Sequence, residues 1–478
     1  MTSYRLLLPI AFLSVFAFLL LALDAAAEGL SSRIRKTGFW LAIIGIFCGG
    51  LTLVSPGDFS GFFGRGMLVW DGLAFFFSCV VLLTILFVVL LSIRYQDFEN
   101  VRLSTYFALL LLSGIGLILV VSANDFLMIF LSIELVGIPS FILAGYLRGR
   151  AKSSEGAIKF FLIGAFSSAM LAYGISLIYG ITGTTSLATL AGRVGELKAM
   201  LPLSILAMLF VLVSFGFKMA LVPFHMWVPD AFEGSPVPIA AFLSVAPKVA
   251  GAAITLRVFG LIFPHADPTI LTVLAFVAVL TMTIANIIGL QQTNVVRLLA
   301  YSSIAHMGYT LMGIISGGPL GTVSVYLYTW VYLFMNIGAF AVVVHISNAV
   351  GSQDLDAYAG LARREPYLAG LLALFLVSLA GIPPTAGFLA KFYVLSAAYQ
   401  SGWIWLVIIG AVNTVIAVGY YFKILYVVYF KPSTTPAVLE LGLSERLTLA
   451  GTAVITVVIG IAPQFFLNAA HALISGPK

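Results

Sequence analysis

Charge is scarce in this chain. Of 478 residues only 9% are Asp, Glu, Lys or Arg, against 61% hydrophobic, and the mean hydropathy is +1.12. A soluble domain is about 45–50% apolar and about 25% charged, so a water-soluble globular protein is excluded. Cysteine is scarcer still. Cys48 and Cys79 both sit in apolar runs and point to neither disulfides nor metals. No GxGxxG opens a helix, and there is no Walker loop and no cysteine cluster for iron–sulfur or zinc. The chain is therefore expected to bind no metal and no redox cofactor, and to hydrolyse no nucleotide. The formal charge of +6 is not a nucleic-acid signal, because the basic residues fall between apolar stretches.

What is present is a succession of apolar runs of about 20 residues, the length that crosses a hydrocarbon layer as a helix. Period-two alternation, the mark of a membrane β-barrel, does not describe them. The expected fold is all-α and polytopic, with about 14 transmembrane helices. They run near 5–23, 39–54, 72–93, 105–122, 126–147, 157–180, 203–222 (continuing brokenly to about 230), 237–262, 268–290, 299–316, 322–348, 367–400 with a break, 403–430 and 447–468. The first run ends in Leu-Asp-Ala-Ala-Ala, faintly like a signal peptide, but is read as a retained helix. The 38 Phe and 19 Tyr are read as lipid-facing and interfacial residues rather than a quinone pocket.

Loops after odd-numbered helices hold Arg33, Arg35, Lys36, Arg94, Arg102, Arg148, Arg150, Lys152, Arg297, Arg363, Arg364, Lys431 and Arg446. Those after even-numbered helices hold Arg65, Arg193 and Lys198. The positive-inside rule makes the first set cytoplasmic and both termini periplasmic, which requires an even helix count.

A few charges cannot be placed in loops: Glu134, Lys159, Lys218, Lys248 and Lys391. Arg257 and Lys423 lie nearer helix ends, where a long side chain snorkels its charge to the interface. The stretch 212–248 reads LVSFGFKMALVPFHMWVPDAFEGSPVPIAAFLSVAPK. It holds Lys218, then Pro223 and Pro229, then His225, Asp230 and Glu233, then Lys248. An ionised side chain at the bilayer centre costs about 2.5–3.5 kcal/mol on insertion scales. A broken helix at membrane depth needs protein or water around its freed backbone. Pro383 and Pro384 break the twelfth span, and Lys391 follows. Paired interrupted helices in the two halves of a transporter point to an internal repeat.

Ionisable groups inside the membrane are functional candidates by default. Burial lowers the proton affinity of a lysine and a nearby carboxylate restores it, so Glu134 moving toward or away from a lysine would load or unload it. The competing readings are a structural ion pair for Glu134 and, for Lys218 and Lys248, bonding of carbonyls freed at the break. Lys159 is either an interface lysine or a bridge from Glu134 to Lys218. His225 and His306 extend a proton path or are satisfied core histidines; Tyr301, Ser302 and Ser303 beside His306 could hold waters. His265, His345 and His471 lie near helix ends and are assigned no role.

At FHMWVPDAFEGSPVPIAAFLSVAPKVAG the sequence resembles the antiporter-like membrane subunits of proton-pumping NADH:quinone oxidoreductase, respiratory complex I, and among them the subunit N branch, over essentially the whole chain. The resemblance implies two inverted five-helix repeats with broken seventh and twelfth helices, and four regions: 1–122, 105–262, 268–430 and 431–478. It implies a proton relay through Glu134, Lys218, Lys248 and Lys391, with Lys159, His225 and His306 as accessory groups. NADH, FMN, iron–sulfur clusters and a quinone would belong to other subunits. The implied neighbours are the antiporter-like subunit M and small subunits K, J and A, in a bacterial inner membrane. The rival is an Mrp-type cation/proton antiporter subunit, which shares fold and lysines; a scaffold whose charges only pin helices together is the other alternative.

Overall fold

The computed structural model describes residues 7–26, 32–54, 61–99, 101–261, 268–433 and 440–475; His265 lies outside them. The chain begins with α1 (Leu7–Ala25) and α2 (Ser32–Val54), then a two-stranded antiparallel hairpin, β1 (Gly61–Phe63) with β2 (Leu68–Trp70). Next come α3 (Gly72–Ser92), α4 (Leu103–Ser122), α5 (Phe126–Ala144), α6 (Ala151–Thr182) and the short α7 (Leu187–Ala191) and α8 (Val194–Ala199). The first interrupted pair is α9 (Leu201–Met219) and α10 (Trp227–Gly234). It is followed by α11 (Val237–Leu261), α12 (Pro268–Gln291), α13 (Val295–Ser316) and α14 (Gly318–Val350). After α15 (Leu361–Arg364) comes a second interrupted pair, α16 (Pro366–Ala380) and α17 (Ala386–Gln400), and then α18 (Ile404–Phe430), α19 (Leu443–Ile461) and α20 (Gln464–Ser475).

Among the described residues thirteen helices are long and apolar enough to cross a membrane. The remaining member of the expected fourteen is the stretch 367–400. Each of its halves has 15 residues, about 22 Å at 1.5 Å per residue, short of a hydrocarbon core of about 30 Å. A helix that is apolar all round is either buried or lipid-facing, and both kinds occur. α11 and α13 are enclosed along their spans. α1, α2 and α18 turn residues such as Phe18 (71% exposed), Phe47 (65%) and Val415 (73%) outward.

The two interruptions close with the same pair of backbone bonds. At the end of α9, Ala220 takes a left-handed φ of +60°, its N–H reaches the Phe217 carbonyl and the Leu221 N–H reaches the Gly216 carbonyl. At the end of α16, Gly381 has φ +82°, its N–H bonds Ser378, and the Ile382 N–H bonds Val377. Both follow the left-handed helix-end pattern that satisfies otherwise orphaned carbonyls. Proline then follows, without an N–H to continue a helix.

Candidate functional site

Lys218, Lys248 and Lys391 are all buried, at 8%, 0% and 4% exposure. Lys218 is in the last turn of α9, just before the first interruption. Lys248 follows Pro247 inside α11, and Lys391 lies on α17 beyond the second interruption. Each ammonium lies over an aromatic face: Phe217 for Lys218 (5.5 Å to the centroid), Phe232 for Lys248 (5.4 Å) and Tyr309 for Lys391 (5.1 Å). An aromatic face within about 6 Å attracts a cation without competing for its hydrogen bonds.

Around Lys218 the space is narrow. Its Nζ lies 3.4 Å from the carbonyl oxygen of Ile133, the residue before Glu134. A Cβ added at Gly137, one turn on, would stand 3.7 Å from that nitrogen. A cavity of about 10 Å³ adjoins it, walled by Leu117, Ile133, Val136, Pro247 and Gly251, near the smallest volume that admits one water. Glu134 is half-buried on α5 and accepts a hydrogen bond from the Ser168 hydroxyl of α6. The nearest polar partners of Lys218 and Glu134 are thus a backbone carbonyl and a serine, not each other.

Lys248 stands beside a polar run. Its Nζ donates to Ser303 Oγ at 2.6 Å. The neighbouring Ser302 hydroxyl bonds the Tyr421 hydroxyl, which lies 3.2 Å from His306 Nε2, and His306 Nδ1 meets the Tyr328 hydroxyl at 2.7 Å. All of these side chains are buried. Ser302, Tyr421, His306 and Tyr328 form one hydrogen-bonded run whose three hydroxyls and imidazole can each pass a proton by exchanging donor and acceptor roles; the Lys248–Ser303 pair lies beside it, with the Ser303 hydroxyl turned to the Ala300 carbonyl. Lys391 ends the series. Its Nζ donates to the Ala380 carbonyl at 2.9 Å, the last carbonyl of α16. Gly381 makes room for it: a Cβ there would fall 2.7 Å from Lys391 Cδ.

Lys159 lies elsewhere. It is paired at 2.6 Å with both Glu155 and Asp230, and 43% of its side chain is exposed. This puts it in an ion-pair cluster at the mouth of the fold rather than beside Glu134 or Lys218. In that cluster Arg297 of α13 grips Asp230 (2.8 Å) and Glu233 (2.7 Å), and Lys152 of α6 also bonds Glu233 (2.7 Å). Burial works against an ionised Glu233, yet hydrogen bonds from Lys152 and Arg297 outweigh it and hold its carboxyl below the ordinary value. His225 sits in the first interruption, its Nδ1 buried and without a hydrogen-bond partner among the described residues.

Two expectations need correction or addition. Arg257 does not snorkel. It is 4% exposed and turned inward, forking onto Asp71 (2.7 and 3.0 Å) and the Val121 carbonyl, because the Asp71 that caps α3 offers a bidentate partner. Lys423 does reach a helix end, at the carbonyls of Leu290 and Gln292. Sequence reasoning passed over Tyr328 and Tyr421, whose signal was their place in the middle of apolar runs rather than at the interface. It also passed over the buried pair His345–Glu445 (3.3 Å), which joins α14 to α19.

Fold and site together define a polytopic membrane protein with a charged, hydrogen-bonded interior. The chain belongs to the NADH:quinone oxidoreductase/Mrp antiporter transmembrane family, whose pattern matches residues 123–417. It is 39% identical to the NADH-quinone oxidoreductase subunit N of Trichlorobacter lovleyi, over 98% of this chain and 96% of that protein. It is 42% identical to the subunit N 2 of Rhizobium meliloti, over 85% of each. Among solved structures it is similar to a chain of respiratory complex I from Thermus thermophilus, with TM-score 0.81 and 28% identity, covering 98% of this chain and all of that one. A chain of the Mrp complex of Dietzia sp. shares the fold (TM-score 0.86, 21% identity, 99% and 97% covered).

Proposed function

We propose that this chain is a membrane-arm subunit of a proton-translocating NADH:quinone oxidoreductase, moving protons through a relay of Glu134, Lys218, Lys248 and Lys391. Full-length similarity to subunit N proteins at about 40% identity favours this over an Mrp-type antiporter. The observation that carries the relay is the buried Lys248–Ser303 pair beside the hydrogen-bonded run Ser302–Tyr421–His306–Tyr328, inside a membrane protein. Each charge moved against 100 mV costs about 2.3 kcal/mol, a load that groups able to exchange protons inside the membrane must carry.

In this reading 105–262 and 268–430 are two inverted half-channel repeats, preceded by N-terminal helices in 1–122 and followed by a C-terminal loop and last span in 431–478. The matching closures at Ala220 and Gly381 support the pairing. His225 and His306 serve as accessory groups, and Lys159 serves from the ion-pair cluster. NADH, FMN, iron–sulfur clusters and quinone act in other subunits, and electrons do not pass through this chain. Its neighbours are the antiporter-like subunit M and small subunits K, J and A, in a bacterial inner membrane with both termini periplasmic.

NADH-driven proton pumping in membranes carrying Lys218→Ala, with subunit content measured in the same sample, tests the relay. Loss of pumping and quinone reduction in an assembled complex supports it, and wild-type rates refute it. One observation favours the scaffold reading at a single position: Lys391 satisfies the terminal carbonyl of α16. If that were its whole role, Lys391→Met would reduce assembly as much as turnover.

A further inference from the structure

On the face bearing Arg150 and Arg297, a polar cavity of about 350 Å³ is walled by Arg150, Lys152, Glu233, Ser235, Asn294 and Asp354. Phe232 links this wall to Lys248. Phe232, the residue before Glu233, is fully buried and places its ring 5.4 Å from Lys248 Nζ. The Phe232 carbonyl accepts the hydroxyl of Ser235, a residue of the cavity wall, at 3.2 Å, so its backbone is tied to that wall while its ring faces the lysine.

The ring is part of a layer. Phe232 meets Trp227 edge-on at 6.4 Å and Phe340 at 6.5 Å. Trp227 stacks on Phe160 at 4.0 Å and tilts against Phe217 at 5.3 Å. Five rings from α6, α9, α10 and α14 therefore pack as one aromatic cluster, with Lys248 against its Phe232 member. Narrow apolar constrictions control passage by excluding water until they are wetted.

We propose that Phe232 is a hydrophobic gate between the polar cavity and Lys248. Water and the proton it carries reach the lysine from the Arg150/Arg297 face when the ring moves aside, and are shut out when it returns. The proposal rests on Lys248 being a relay group, and deepens that reading by naming where the lysine is reached.

Inside-out membrane vesicles containing the whole complex provide the test. Passive proton leak is measured after an imposed pH difference with no NADH present, and the NADH-driven gradient is measured in the same vesicles. Phe232→Ala is expected to raise the passive leak several-fold and lower the steady gradient while NADH oxidation continues. Phe232→Leu, which keeps apolar bulk, is expected to stay tight. Phe232→Val gives an intermediate leak and serves if the alanine variant does not assemble. Adding Lys248→Met to the leaky variant should abolish the excess leak. Tight vesicles in assembled Phe232→Ala or Phe232→Val overturn the gate, and a leak that survives Lys248→Met overturns the placement of Lys248 behind it. Failure of the relay reading shows separately, as normal pumping in Lys218→Ala, which alters no passive leak through Phe232.

Discussion

Lys248 Nζ and Ser303 Oγ are 2.6 Å apart, between α11 and α13, both side chains fully buried. The serine hydroxyl in turn donates to the Ala300 carbonyl at 2.6 Å. The lysine therefore has a fixed polar partner in a place that otherwise offers it the face of Phe232.

Replacing that partner should show in turnover. Leaving a buried donor without its partner costs about 1–3 kcal/mol. Ser303→Ala is expected to lower coupled NADH oxidation about tenfold, at 1.4 kcal/mol per factor of ten, with normal subunit content. Quinone reductase rates of isolated membranes, normalised to an immunoblot of the complex, decide it. A parallel fall in both would assign the contact to folding.

Glu134 and Lys218 are expected to respond differently to conservative change. Glu134 already has a neutral partner in Ser168, so Glu134→Gln keeps a hydrogen bond and removes only the charge. Coupled activity should drop in Glu134→Gln nearly as far as in Glu134→Ala if the carboxylate acts electrostatically. Near-normal rates in the glutamine variant would mean that Glu134 holds helices together and nothing more.

Gly381 has two reasons to be glycine. Its φ of +82° is disfavoured for other residues, and a Cβ would meet the Lys391 stem at 2.7 Å. Gly381→Ala is expected to cost about 1–2 kcal/mol from the backbone alone, and to displace Lys391 as well. The thermal midpoint of the purified complex and its proton pumping should both fall. Ala220 already tolerates the equivalent conformation, with φ +60°, so Ala220→Gly should leave pumping unchanged.

The Arg297 clamp gives a pH signature. Glu233 has its proton affinity lowered by folding, so its ion pairs stabilise the protein fully above the ordinary glutamate range. That contribution is lost as pH falls through the lowered value. Arg297→Ala removes a partner of both Asp230 and Glu233. The acid limb of a stability-against-pH curve should then begin at higher pH than in the wild type. Superimposable acid limbs would show that the clamp does not control these carboxylates.

Membrane residence and the position of the breaks follow from the sequence itself. Hydrocarbon allows only backbone that satisfies itself, so apolar runs of the right length read directly as helices, and Pro223 and Pro384 mark where they fail. The lysines are equally legible, because a charge within such a run is costly and stands out against its apolar neighbours. Partner choice is not legible. Whether Lys159 meets Glu134 or Asp230, whether Arg257 reaches the interface or Asp71, and whether Ser303 faces Lys248 depend on how α6, α11 and α13 are rotated and packed. That packing is set by close fit between helices distant in sequence, which spacing along one helix does not encode. The sequence therefore determined which residues carry charge into the membrane, and the tertiary structure decided what each of them touches.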